Sequence, residues 1–185
     1  HGASLPVAYR LYLPEDWAQD PIRRAKAGVP ASLGFASKPG IALEHLRAAV
    51  EAGIPLGVVL MDEGYGTDTR LRTAVTALGL HYVVGIQPHT TVWPPGQGPL
   101  PPKAWSGRGR PASQSRRDAE HQPLQVKALA LGLPASAWQT VTWREGSADW
   151  LSGRYARLRV RAAHRDQRLK EPRAGEWLLI EWPQD

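Results

Sequence analysis

Asp62 is the residue whose position best suits it for chemistry. It follows Ile54 to Met61 (IPLGVVLM), an unbroken apolar run of the kind that forms a strand covered on both faces in a parallel sheet, and it precedes Glu63-Gly64-Tyr65-Gly66. A carboxylate at the C-terminal end of such a strand stands where ligands of open α/β sheets gather, and its oxygens suit a hard cation. The glycines allow a tight turn or the close approach of a ligand or another chain. The same aspartate could instead cap the turn or the helix that begins near Thr67, and the residues alone leave both readings open. Glu145, beside Arg144 and 83 residues after Asp62, is the second acidic candidate, with an ion pair or turn role as its alternative.

A different chemistry is suggested by Arg154, Arg157, Arg159 and Arg161, which alternate around Leu158 and Val160. In an extended strand the three at odd positions share one face and form a cationic stripe suited to phosphates, with a solvated strand face as the competing account. Trp143 and Trp150 have flat rings on which a displaced base could stack, and Arg144 beside Trp143 joins the four arginines as a candidate DNA contact. Trp138, Trp143, Trp177 and Trp182 lie in strand-like runs, where packing is the first expectation. Lys103, Arg108, Arg110, Arg116 and Arg117 lie in a loop and offer non-specific backbone contacts. His45 and His81 fit structural roles, while His89, His121 and His164 lack metal-ligand spacing. No phosphate-binding glycine loop occurs, so no nucleotide cofactor is expected.

The whole chain agrees with this division. Its 185 residues can bury a core without disulfides, and the absence of cysteine suits a reducing cytoplasm while removing thiol and zinc-ribbon chemistry. No apolar stretch is long enough for a membrane span. Residues 1–100 hold 8 Lys/Arg and 8 Asp/Glu, whereas residues 101–185 hold 15 and 9, so the +6 net charge sits in the second part. Seven of the eight tryptophans occur from Trp93 onward, and cations mixed with flat rings characterise nucleic-acid surfaces.

Several elements must position these residues. Ser4 to Leu13 reads as a strand, Pro21 to Ala27 as a short helix, and Ile41 to Gly53 as a helix capped by Ser37 or the turn after it and stopped by Gly53. Thr67 or Asp68 caps a helix over Thr69 to Leu78, and His81 to Ile86 is a further buried strand. The alternation predicts an α/β layer over residues 1–92. Residues 93–185 form a basic, Trp-rich second region. Within it, 94–123 is an irregular or mobile loop, Leu124 to Gly132 is a short helix, and Trp138–Arg144, Tyr155–Ala162 and Glu176–Trp182 are antiparallel strands.

Ala3-Ser-Leu-Pro-Val-Ala-Tyr-Arg-Leu-Tyr-Leu-Pro-Glu-Asp-Trp17, Gly28-Val-Pro30, KPGIALEHL, GVVLMDEGYG and HYVVGIQ come in an order and spacing that resembles the catalytic region of bacterial insertion-sequence transposases of the DDE superfamily. WREGS, RYARLRVRAAH and EWLLIEWP resemble its continuation. The resemblance implies an incomplete ribonuclease H-like α/β core with a mixed sheet and flanking helices, followed by a β-rich insertion. It further implies two Mg²⁺ ions held by an Asp, Asp and Glu triad that drive in-line phosphodiester displacement. Asp62 matches the second Asp of that triad. The first Asp is expected on a strand ahead of the HGASLP-like opening, and the Glu on a later helix of Y-x2-R-x3-E-x6-K spacing, which these residues lack. Residues 1–185 are therefore expected to be a fragment, inactive alone, whose full-length form cuts and joins transposon DNA, with transposon ends and other transposase subunits as partners. The alternative is a non-catalytic DNA-binding or transposase-interacting remnant. A small-molecule α/β enzyme built on the Asp62 edge would require a closed apolar pocket there.

Overall fold

The computed structural model describes residues 5–144 and 150–182. In chain order the elements are α1 (Glu15–Ala18), α2 (Pro21–Lys26), α3 (Lys38–Glu51), β1 (Val58–Met61), α4 (Glu63–Gly66), α5 (Thr69–Ala77), β2 (His81–Val84), β3 (Thr91–Trp93), β4 (Leu124–Gln125), α6 (Val126–Leu131), β5 (Trp138–Arg144), β6 (Trp150–Ala162) and β7 (Glu176–Trp182). They form two compact units that divide between Ile86 and Gln87. That division precedes the boundary expected after residue 92, because Val92 and Trp93 pair with Ala162 and Arg161 of β6.

The first unit is mixed α/β. Side-chain caps start its main helices: Ser37 Oγ accepts from the Gly40 amide at 3.2 Å, and Asp68 Oδ1 accepts from Arg70 and Leu71 at 2.9 and 3.0 Å. Gly53 and Gly79 follow the helix ends at φ +70° and +75°, the left-handed conformation that glycine adopts without strain. β1 and β2 run parallel in direct register from Val58 with His81 to Met61 with Val84. Leu71, Val75 and Leu80 form the core, and Leu43, Leu46, Val50, Val59, Met61 and Tyr82 pack on it.

Two expectations for this unit are corrected. Residues 5–13 form no strand, and Leu5, Val7, Tyr9 and Leu11 are exposed. A strand requires a hydrogen-bonded neighbour, and the sheet described in this unit contains only β1 and β2. Nor are β1 and β2 covered on both faces. Val59 and Met61 meet the helices, while Val58, Val83 and Leu60 point outward, Leu60 at 76% exposure, because the described helices supply core for one face alone.

The second unit is all antiparallel in its sheet, ordered β4-β3-β6-β5 with β7 also on β6. β5 and β7 have the bounds expected from the sequence, and β6 starts earlier, at Trp150. Val92, Trp93, Val126, Leu129, Ala156, Val160, Ala162, Ala163 and Leu178 are its buried apolar residues among those described. Residues 94–123 contain no helix or named strand, only a bridge between Leu100 and Arg116. Arg117 is not a free loop cation as expected. It is paired with Asp166 at 2.5 Å and donates to the Ala163 carbonyl at 2.9 Å, while Trp93 Nε1 donates to the other Asp166 oxygen at 2.5 Å.

Candidate functional site

Asp62 stands immediately after the last residue of β1, and its side chain is exposed. Its Oδ1 accepts the Gly64 amide at 2.9 Å and caps α4, so the capping role left open by the sequence is realised. This cap engages one carboxylate oxygen. Gly66 and Gly85 have a packing cause. A Cβ at Gly66 would fall 1.7 Å from the Gly85 carbonyl oxygen, and one at Gly85 would meet the Glu63 amide nitrogen at 2.9 Å. The chain leaving β1 thus crosses the chain leaving β2 at van der Waals limit. The Gly85 amide donates to Met61 O at 3.1 Å and extends the pairing up to Asp62.

Beside this crossing lies a partly open cleft of about 600 Å³. Its walls are aliphatic, with His45, Asp62 and Tyr65 as the polar lining residues. Among the described residues no three His, Cys, Asp or Glu side chains come together as a metal centre would need. The closed pocket that would favour a small-molecule enzyme is not what this cleft provides. Glu145, the alternative acidic candidate, lies outside the described residues.

In the second unit the β5-β6-β7 register sorts the proposed nucleic-acid contacts onto two faces. Trp143 pairs with Leu151 and Arg159 with Trp177, which puts Trp143, Arg157, Arg159 and Arg161 on one face. Arg144 pairs with Trp150, and Arg154 with Thr140 and Trp182, which puts Arg144 and Arg154 on the other. The six residues therefore do not form one surface, because Arg144 and Arg154 have the opposite parity along their strands. Trp150 is exposed on that second face too. Arg161 is half-buried and donates to the Arg173 carbonyl at 2.5 Å, leaving Arg157 and Arg159 as the exposed cations of the expected stripe.

Both of those guanidiniums lie over the ring of Trp177, at 4.6 and 5.0 Å from its centroid. Trp177 was expected to pack and is instead 59% exposed. Its alternation with Leu179 and Glu181 is visible in the sequence, but the register that sets it opposite Arg159 depends on the 163–175 connection. Further along the same face, Tyr155 O–H donates to Glu181 Oε1 at 3.0 Å, and its ring meets Trp143 edge-on at 6.0 Å. Desolvation, then the Glu181 carboxylate, raises the Tyr155 pKa. In the preceding loop Asp118 is held below its ordinary pKa chiefly by its hydrogen bond with His121 at 2.8 Å.

Residues 1–149 match the family of DDE superfamily endonucleases, which covers the whole first unit, Asp62 and Glu145. The chain belongs to that family. No curated protein and no solved structure matches it. As a DDE endonuclease the chain belongs to a group that generally uses a divalent metal and acts on DNA. The described residues do not fit a metal cage by themselves, since Asp62 is a single carboxylate with one oxygen already held by a backbone amide. The family match ends before β6 and β7, so the Arg157, Arg159 and Trp177 face lies beyond it. No described helix is long and apolar enough to cross a membrane.

Proposed function

We propose that this DDE endonuclease chain is part of an insertion-sequence transposase that cuts and joins transposon DNA in the cytoplasm. The first unit is read as an incomplete ribonuclease H-like core, and Asp62 as one of the carboxylates for Mg²⁺. The second unit is read as the basic β-rich insertion that holds DNA. The family match over residues 1–149, with Asp62 at the carboxyl end of a parallel strand, carries this reading. The remaining carboxylates are assigned to residues other than the described ones, with transposase subunits as further partners. One ligand cannot retain a pair of hard cations, so the 185-residue chain is expected to bind DNA and not to cut it. Purified chain incubated with supercoiled plasmid and Mg²⁺ tests this. Nicking that disappears in Asp62→Ala would refute the assignment of the missing carboxylates.

The exposed cations over Trp177 favour a second reading, a DNA-binding remnant without catalysis. Salt-sensitive DNA binding that survives Asp62→Ala and needs no Mg²⁺ supports the remnant. Mg²⁺-dependent binding lost in Asp62→Ala supports the enzyme.

A further inference from the structure

We propose that Trp177 positions Arg157 and Arg159 as a paired clamp for the phosphodiester backbone of DNA. This proposal rests on the DNA reading above and adds a residue and a mode of contact to it. Arg157 and Arg159 stand two residues apart on β6, roughly 6.7 Å along the strand, and both reach the ring that β7 sets opposite Arg159. A free arginine samples many rotamers and loses that freedom when it binds a phosphate. Attraction between a guanidinium and an indole face restricts the side chain beforehand, while the N–H groups at the guanidinium edge remain available for bidentate contact with phosphate oxygens. The indole faces engaged in this way do not serve as a platform for a base. Trp177 is mostly exposed, so core packing does not account for a tryptophan next to two cations.

The charge on this face fits a polyanion. Arg161 stands on the same strand face behind the pair, with its guanidinium tied to the Arg173 carbonyl. Among the described strand residues the one carboxylate on this face, Glu181, is engaged by the Tyr155 hydroxyl. A contact made through phosphates carries no sequence information, so the clamp should hold duplexes of unrelated sequence alike.

The test is fluorescence anisotropy with a random-sequence DNA duplex and the 185-residue chain over a range of salt concentrations. Arg157→Gln with Arg159→Gln is expected to lower the slope of log affinity against log salt by about 1.8, the value for two lost phosphate contacts. Trp177→Leu is expected to weaken binding several-fold, and Trp177→Phe to restore most of it. In the Arg157→Gln/Arg159→Gln background Trp177→Leu should have no further effect, which identifies a residue that acts through the arginines. Circular dichroism and thermal melting check that each variant is folded. If Trp177→Leu costs as much in the arginine-free background, or the arginine pair leaves the salt slope unchanged, the clamp is overturned while DNA binding stands. If the unmodified chain shows no salt-dependent binding, the DNA reading fails and the clamp fails with it.

Discussion

The two units solve the same problem with different materials. In the second, three long antiparallel strands and Trp93 enclose a core, and the outward face is charged and aromatic. In the first, a two-stranded parallel sheet has helices on one side, and Leu60, Val58 and Val83 stand in solvent on the other. Two strands are too few to support a sheet unaided, and contiguous exposed apolar side chains mark a surface made to be covered. The proposed catalytic aspartate thus sits in the less enclosed unit, and the proposed DNA face on the better-supported one. Stability tests should separate the units in that order.

The largest effect is expected at Asp166, which is 2% exposed and receives both Trp93 and Arg117. Asp166→Ala leaves a guanidinium without its carboxylate in a low-dielectric site, and about 3–5 kcal/mol should be lost. Denaturant unfolding followed by tryptophan fluorescence reads this, since Trp93 belongs to the same cluster. A loss under 1 kcal/mol would mean that the second unit is not organised around this pair. Gly66→Ala comes next, in the first unit. Its new Cβ would meet the Gly85 oxygen at 1.7 Å, so one backbone must move, at a cost of about 2–3 kcal/mol. Hydrogen exchange resolves where the loss falls: β1 and β2 amides should lose protection while those of β5 to β7 keep theirs.

What the sequence revealed follows the same contrast. α3, α5 and their caps were legible because a helix is built from neighbours in the chain: Ser37, Asp68, Gly53 and Gly79 act within a few residues of where they stand. β5 and β7 were legible from alternation and β-branched or aromatic content. The Ser4–Leu13 strand failed because alternation shows that a segment could pair, while pairing itself depends on a partner elsewhere in the chain. Sequence arithmetic also gave the shared face of Arg157, Arg159 and Arg161. It could not give Trp177 as their neighbour, nor Asp166 as the partner of Arg117, since both depend on long-range register and on the path of a long loop. At Asp62 the residues left cap and ligand open, and the cap is now seen.

That ambiguity yields a smaller and more discriminating prediction. Asp62→Ala removes the α4 cap and should cost about 1 kcal/mol, whereas Asp62→Asn retains an accepting oxygen and should cost only a few tenths. The asparagine variant therefore separates the two roles. It keeps the local structure and removes the charge that a divalent cation needs. If stability and DNA affinity are both unchanged in Asp62→Asn, with and without Mg²⁺, capping is the whole function of the residue in this chain. If Mg²⁺ strengthens binding of the unmodified chain alone, the less enclosed unit contributes a metal ligand even without its companions.

The weakest effect belongs to the better-supported unit and appears only in alkali. Tyr155 has a folded pKa raised above its ordinary value of about 10, because desolvation and the Glu181 carboxylate both disfavour the phenolate. A group whose folded pKa exceeds its unfolded one stabilises the fold fully below the unfolded value, and that contribution fades as pH rises through the folded value. The chain should therefore lose stability as pH rises above about 10 more steeply than Tyr155→Phe, which has no proton to lose. Urea midpoints for the two proteins, measured at intervals across that range, give the comparison. Parallel curves would mean that the Tyr155–Glu181 bond is too loosely held to couple ionisation to folding. Tyr155 would then lend no rigidity to the strand face on which Arg157 and Arg159 are displayed.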